Sequence, residues 1–84
     1  MQKRIGVIGI IIENRSSVSK VNVILSEHAD MILGRMGVPY KDKNFSVISI
    51  IIEGTTDDVG ALTGKLGNVE DVIVKTALSN KTVS

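Results

Sequence analysis

Cysteine and tryptophan are absent from this chain of 84 residues, proline and histidine occur once each, and the only aromatics are Tyr40 and Phe45. Without cysteine there is no disulfide scaffold, zinc knuckle, iron–sulfur site or thiol nucleophile. One histidine, His28, cannot build a multi-histidine metal site within a single chain. An excess of charge of one sign is missing too. Ten basic and nine acidic residues leave a net +1, which excludes a strongly electrostatic nucleic-acid binder and an acidic tail. No apolar stretch approaches the roughly 20 residues that a membrane helix needs. The longest covers residues 5–12, behind Lys3-Arg4. Glu13-Asn14-Arg15 follow it where a signal peptide would carry a small-residue cleavage site, so it reads as a buried strand. The expectation is one soluble, cytoplasmic domain over residues 1–84.

What the chain does hold is aliphatic. Hydrophobic residues make up 43%. Twelve Ile and eleven Val give 23 β-branched aliphatics against five Leu, a bias toward strands over a helical bundle. Sliding the chain on itself by 40 residues places residues 5–13 on residues 45–53 with six of nine positions identical, among them Ile8/Ile48, Ile10/Ile50, Ile12/Ile52 and Glu13/Glu53. Each run is followed by hydroxyl cap candidates, Ser16 or Ser17 and then Thr55 or Thr56, and by helical spacing. Val18, Val21, Leu25, Ala29 and Ile32 mark one helix face, with Gly34 as its stop. Val59, Leu62 and Leu66 mark the other, ended by Gly67. Asp57 and Asp58 suit the positive end of that second helix. Gly60 and Gly64 cost about 1 kcal/mol each relative to Ala, and close backbone packing is the expected compensation. Two further extended stretches, residues 36–40 and 69–78, complete the pattern. Gly37 and Pro39 make the first of them an edge strand.

Strand-helix-strand, twice, predicts an α+β fold of the ferredoxin-like βαββαβ plan: a four-stranded antiparallel sheet with both helices on one face, repeat halves at about 4–40 and 44–79, and the first and third strands central. Both faces of those central strands are apolar. Ile8, Ile10, Ile12, Ile48, Ile50 and Ile52 point one way. Ile5, Val7, Ile11, Phe45, Val47 and Ile51 point the other. An antiparallel sheet with one wet face alternates apolar and polar residues, and this one does not. Covering ~400 Å2 on each of two copies at roughly 25 cal/mol per Å2 is worth ~20 kcal/mol before association costs. A homo-oligomer, dimer or tetramer, through the helix-free sheet face or by edge pairing, is expected.

Function classes that use this plan leave chemical marks. An RNA-recognition module stacks bases on aromatics of its central strands, and these strands offer none beyond Phe45. Lys41, Lys43 and Arg35 around Tyr40 read as a solvated loop, so no direct nucleic-acid contact is expected. An acylphosphatase-type enzyme would place an Arg and an Asn after strand 1. Arg15 and Asn14 sit there, but the loop lacks the glycines that open backbone N–H groups to phosphate. The chain is read as no enzyme. His28 falls at the border of an apolar helix face and reads as a half-buried packing residue, with a metal or ligand contact completed by a second copy as the sharper alternative. Glu13 and Glu53 are expected at the same end of the sheet, marking solvent. No residue pattern names a cofactor.

The string Gly34-Arg35-Met36-Gly37-Val38-Pro39-Tyr40, the run from Ser46-Val47-Ile48-Ser49 to Glu53-Gly54-Thr55-Thr56-Asp57, the run Gly60-Ala61-Leu62-Thr63-Gly64-Lys65-Leu66-Gly67 and the opening Arg4-Ile5-Gly6-Val7-Ile8-Gly9-Ile10 resemble the family of small regulators of the iron-only hydrogenase system. The resemblance covers nearly the whole chain. It implies an ACT-like fold similar to the effector domain of nickel-responsive repressors, a regulatory role, and a protein partner within the hydrogenase system. It also implies ligand binding between subunits near the turn after strand 1, which here is Asn14-Arg15-Ser16. There the start of helix 1 offers N–H donors to an anion and Arg15 offers a fork of donors. Arg35 and Tyr40, in the family-like string, are the second-rank ligand candidates. Two departures stand out. The several His and the Cys of nickel-responsive domains are missing, so nickel sensing does not carry over. No ribbon-helix-helix segment is expected before Arg4, so either a transcriptional effect would need a partner or the regulation is not transcriptional.

Overall fold

The computed structural model describes residues 2–40 and 43–83. Strand β1 (Arg4–Ile12) leads through a short 3-10 turn (Arg15–Ser17) into helix α1 (Val18–Glu27). A second 3-10 turn (Ala29–Met31) opens strand β2 (Ile32–Tyr40). Strand β3 (Phe45–Gly54), helix α2 (Thr56–Gly67) and strand β4 (Val72–Thr82) follow. The sheet order is β2-β3-β1-β4 with every neighbour antiparallel. This is the ferredoxin-like arrangement. β1 and β3, the most apolar strands, are central, and β2 with Gly37 and Pro39 lies at an edge.

Burial follows the two-residue period of the strands. Ile8, Ile10 and Ile12 of β1 and Ile50 and Ile52 of β3 are fully buried under the helices, with Ile48 close behind. Val21 and Leu25 of α1 and Val59, Leu62 and Leu66 of α2 close over them. The internal repeat is therefore physical: equivalent isoleucines fill equivalent places. Gly6 lets β1 and β4 approach under the helices. A Cβ there would lie 2.8 Å from the Ala77 carbonyl oxygen and 2.9 Å from Leu78 Cδ1.

Helix α2 starts at a reciprocal cap. Asp58 N–H donates to Thr55 Oγ1 at 3.1 Å, and Thr55 N–H donates to Asp58 Oδ2 at 3.1 Å. Helix α1 starts differently from the expected hydroxyl cap. Ser17 holds the N-cap position with no side-chain cap bond. Its buried hydroxyl donates to the Glu70 carbonyl at 2.7 Å, tying the helix start to the α2–β4 turn.

Three further expectations are corrected. The 3–4 spacing does not carry α1 as far as Ile32: the helix ends at Glu27, and Gly34 lies inside β2, because pairing with β3 claims the chain from Ile32 onward. Gly60 and Gly64 pack against nothing, since a Cβ at either would meet open space. Glu13 and Glu53 are at opposite ends of the sheet. Ile5 pairs with Glu53 and Ile12 with Ser46, because interlocking the two halves runs equivalent strands antiparallel.

Candidate functional site

The turn after β1 is held to the β2–β3 hairpin by side chains. The Asn14 side-chain oxygen accepts from Ser16 N–H at 3.0 Å, the Ser16 hydroxyl at 2.9 Å and Asn44 Nδ2 at 3.3 Å. Arg15 N–H donates to Asn44 Oδ1 at 3.0 Å, and Arg15 Nη2 donates to the Tyr40 carbonyl at 3.1 Å. Four of the five candidate ligand residues, Asn14, Arg15, Ser16 and Tyr40, thus meet at one corner. Three backbone donors there already have acceptors, since Ser17 N–H donates to the Asn14 carbonyl at 2.9 Å. The guanidinium of Arg15 spends one of its donors on Tyr40 and has four more. Asn44, which completes the corner, carried no signal in the sequence beyond its place in a polar turn.

Arg35 is elsewhere. It stands on the helix side of β2, five residues from Tyr40, or ~17 Å along a strand. Its Nη2 donates to Asn22 Oδ1 of α1 at 3.0 Å. Together with Val18, Gly37, Pro39 and Ser46 it borders a groove of about 250 Å3 between α1 and the β2 edge. The expected basic cluster around Tyr40 therefore loses Arg35, and Lys41 lies outside the described residues.

His28 ends α1 half-buried. It lines a hollow of about 230 Å3 together with Lys3, Glu27, Asp30, Glu53 and Asp58. Its Nε2 is buried without a hydrogen-bond partner. Among the described residues no group of three or more His, Asp or Glu is placed to hold a metal ion. The Asp58 carboxyl is held below the ordinary carboxylate value of 3.8, first by the Thr55 backbone N–H, then by the Thr55 side chain, with Lys3 and His28 adding favourable charge.

The helix-free face of the sheet is open and apolar. Ile5, Val7 and Ile11 of β1 and Phe45, Val47 and Ile51 of β3 run across its middle, all exposed. Met36, Val38 and Tyr40 of β2 and Ile73 of β4 extend it to both edges. Polar groups are few: Ser49, Lys75 and, at one end, Glu53. Tyr40 and Phe45 are cross-strand partners at the hairpin end.

Residues 4–76 match the family model described as "TM1266-like: Iron-only hydrogenase system regulator, putative". The chain belongs to this family. Within this regulator family, the uncharacterized protein TM1266 from Thermotoga maritima shares 35% identity and superposes with a TM-score of 0.88, over 92% of this chain and 98% of that one. More distant structures share the fold. The C-terminal domain of the MgtC protein from Mycobacterium tuberculosis has 12% identity and a TM-score of 0.68, with 96% and 93% of the two chains covered. A nitrogen regulatory PII-like protein from Thiomonas intermedia K12 has 15% identity and a TM-score of 0.60, with 96% and 95% covered. No curated protein matches the chain. The fold of this regulator-family chain is ACT-like, as the family-like string implied. Among the described residues no helix is long and apolar enough to cross a membrane.

Proposed function

We propose that this chain is a non-enzymatic, ligand-responsive regulatory domain of the iron-only hydrogenase system, acting in the cytoplasm as a homo-oligomer and passing its state to a protein partner of that system. Residues 1–84 act as one domain. The observation that carries the assembly is the open sheet face. Ten large apolar side chains on it are 37–68% exposed. They amount to an area on the order of 800 Å2, the share each partner brings to an interface of standard size, and more than a soluble monomer leaves bare. Sedimentation velocity on the wild type and on Ile51→Lys tests it. An assembly of at least two copies at micromolar concentration, lost in the variant, is expected. A stable wild-type monomer overturns the reading.

The corner of Asn14, Arg15, Ser16 and Tyr40 is the ligand site of this proposal, since the remaining Arg15 donors suit a carboxylate or phosphate, with Arg35 serving the neighbouring groove. Binding there would shift the arrangement of copies, which a partner reads. Calorimetry with a panel of amino acids, nucleotides and metal ions, repeated on Arg15→Ala, tests the pocket. A panel member that binds both proteins equally removes it.

One observation favours a second reading, a structural assembly subunit without a small-molecule ligand. The backbone N–H groups of Arg15, Ser16 and Ser17 are already bonded within the protein, so the corner works as a latch between the turn and the hairpin. Silence across the calorimetric panel, with the assembly intact, selects this reading.

A further inference from the structure

The open face carries a knob beside a hollow. Met36 is 68% exposed, the most exposed of the large apolar side chains among the described residues. Next to it, Gly34 and Ser49 leave a hollow of about 190 Å3, lined also by Arg35 and Ile51. Ser49 sits directly across from Met36 in the β2–β3 ladder, and Gly34 directly across from Ile51. The register shifts between Ile32 and Gly34, so the strand bends where the hollow opens. Nothing lies within 4 Å of a Cβ placed on Gly34.

We infer that the occupant of this hollow is Met36 of a second copy, and that the reciprocal insertion sets the register in which two open faces meet. A two-fold interface puts the same patch against itself, so a protrusion and a recess side by side near the axis complement each other twice. A flexible thioether suits a recess of irregular shape. Without such a feature, a sheet face of Ile and Val is apolar everywhere and selects no one register. The inference rests on the self-assembly proposed above and goes beyond it by naming the residues that specify the pairing.

Equilibrium sedimentation of four proteins decides it: wild type, Met36→Ala, Ser49→Leu, and the double variant Met36→Ala/Ser49→Leu. Ser49→Leu enlarges the apolar face while filling the recess. If the face works by apolar area alone, this change tightens the dimer. If Met36 needs the recess, it weakens the dimer about tenfold or more, as truncating a central interface side chain does. Met36→Ala is expected to weaken it by a similar factor. The double variant, with neither knob nor recess, is expected to lose no more than either single change, so the two effects do not add. Gly34→Val fills the same recess from the other strand and repeats the test if Ser49→Leu fails to fold, as judged by its amide NMR spectrum. A wild-type monomer overturns the assembly and this inference together. A wild-type dimer that Ser49→Leu or Gly34→Val leaves unchanged or tightens overturns this inference alone.

Discussion

Helix α2 spans Thr56–Gly67 and holds Gly60 and Gly64 in its interior, both exposed. A glycine there costs about 0.8–1.0 kcal/mol relative to alanine, through the backbone freedom it gives up on folding. Elsewhere in this fold glycine has a steric reason, as at Gly6. Here it has none, since an added methyl group meets no atom within 4 Å at either position. The hydrogen bonds in which these residues take part use carbonyl groups that alanine keeps: Thr63 Oγ1 donates to the Gly60 carbonyl and Asn68 N–H to that of Gly64. Replacing both by alanine is therefore expected to stabilise the protein by ~1.5 kcal/mol. For a domain of this size that raises Tm by roughly 6–12 °C. Urea unfolding at equal protomer concentration checks it, because assembly makes stability depend on concentration. The midpoint is expected to rise with the slope unchanged. Sedimentation is expected to stay as in the wild type, since the assembly proposed here uses the opposite side of the sheet. Unchanged or lowered stability refutes the reasoning, and loss of assembly places a partner on the glycine side of α2.

The other expectations concern single sites. Gly6→Ala drives a methyl group onto the Ala77 carbonyl oxygen and the Leu78 side chain; it is expected to cost about 1–3 kcal/mol in urea melts, while Gly9→Ala, with only one atom at 3.9 Å, is expected to cost far less. Asp71 holds a φ of 61° while its carbonyl accepts the Glu13 N–H at 2.7 Å, so Asp71→Gly keeps the bond, relieves the left-handed backbone and is expected to gain about 0.5–1 kcal/mol; a loss refutes it. Asp58 has a depressed carboxyl, so its contribution to stability is in place above pH 3.8 and is lost as the pH falls below that value through the lower folded one. The stability gap between wild type and Asp58→Ala is accordingly expected to close on acidification, and a gap that does not vary between pH 6 and pH 2 counts against the cap.

The sheet was legible in the sequence because its central strands are dense in Ile and Val and bounded by turn residues. Ile8, Ile10 and Ile12 against Ile5, Val7 and Ile11 define both faces, and the offset of 40 residues marks β3 as the equivalent of β1. The direction in which those equivalents run was a matter of assembly, so Glu13 and Glu53 were set at one end when the interlocked halves put them at two. Local spacing also overran at α1. Ala29 and Ile32 continue a helical stripe on paper, yet pairing with β3 outweighs it. Of the candidate site, the turn residues Asn14, Arg15 and Ser16 were legible as polar groups after a strand. Their latch partner Asn44 was not, because it lies 30 residues away and meets them only through the hairpin. Arg35 was misjudged with respect to Tyr40 through strand parity: five positions apart, they belong to opposite faces.

Every ladder in the sheet joins the first half of the chain to the second, since β1 pairs with β3 and β4, and β2 pairs with β3. A fragment ending at Tyr40 has no strand partner of its own. During synthesis, Ile8, Ile10 and Ile12 stay without strand partners until β3 and β4 have been made. By the same token, two separately made halves are expected to stay unfolded apart and to fold on mixing, which circular dichroism of the mixture would show.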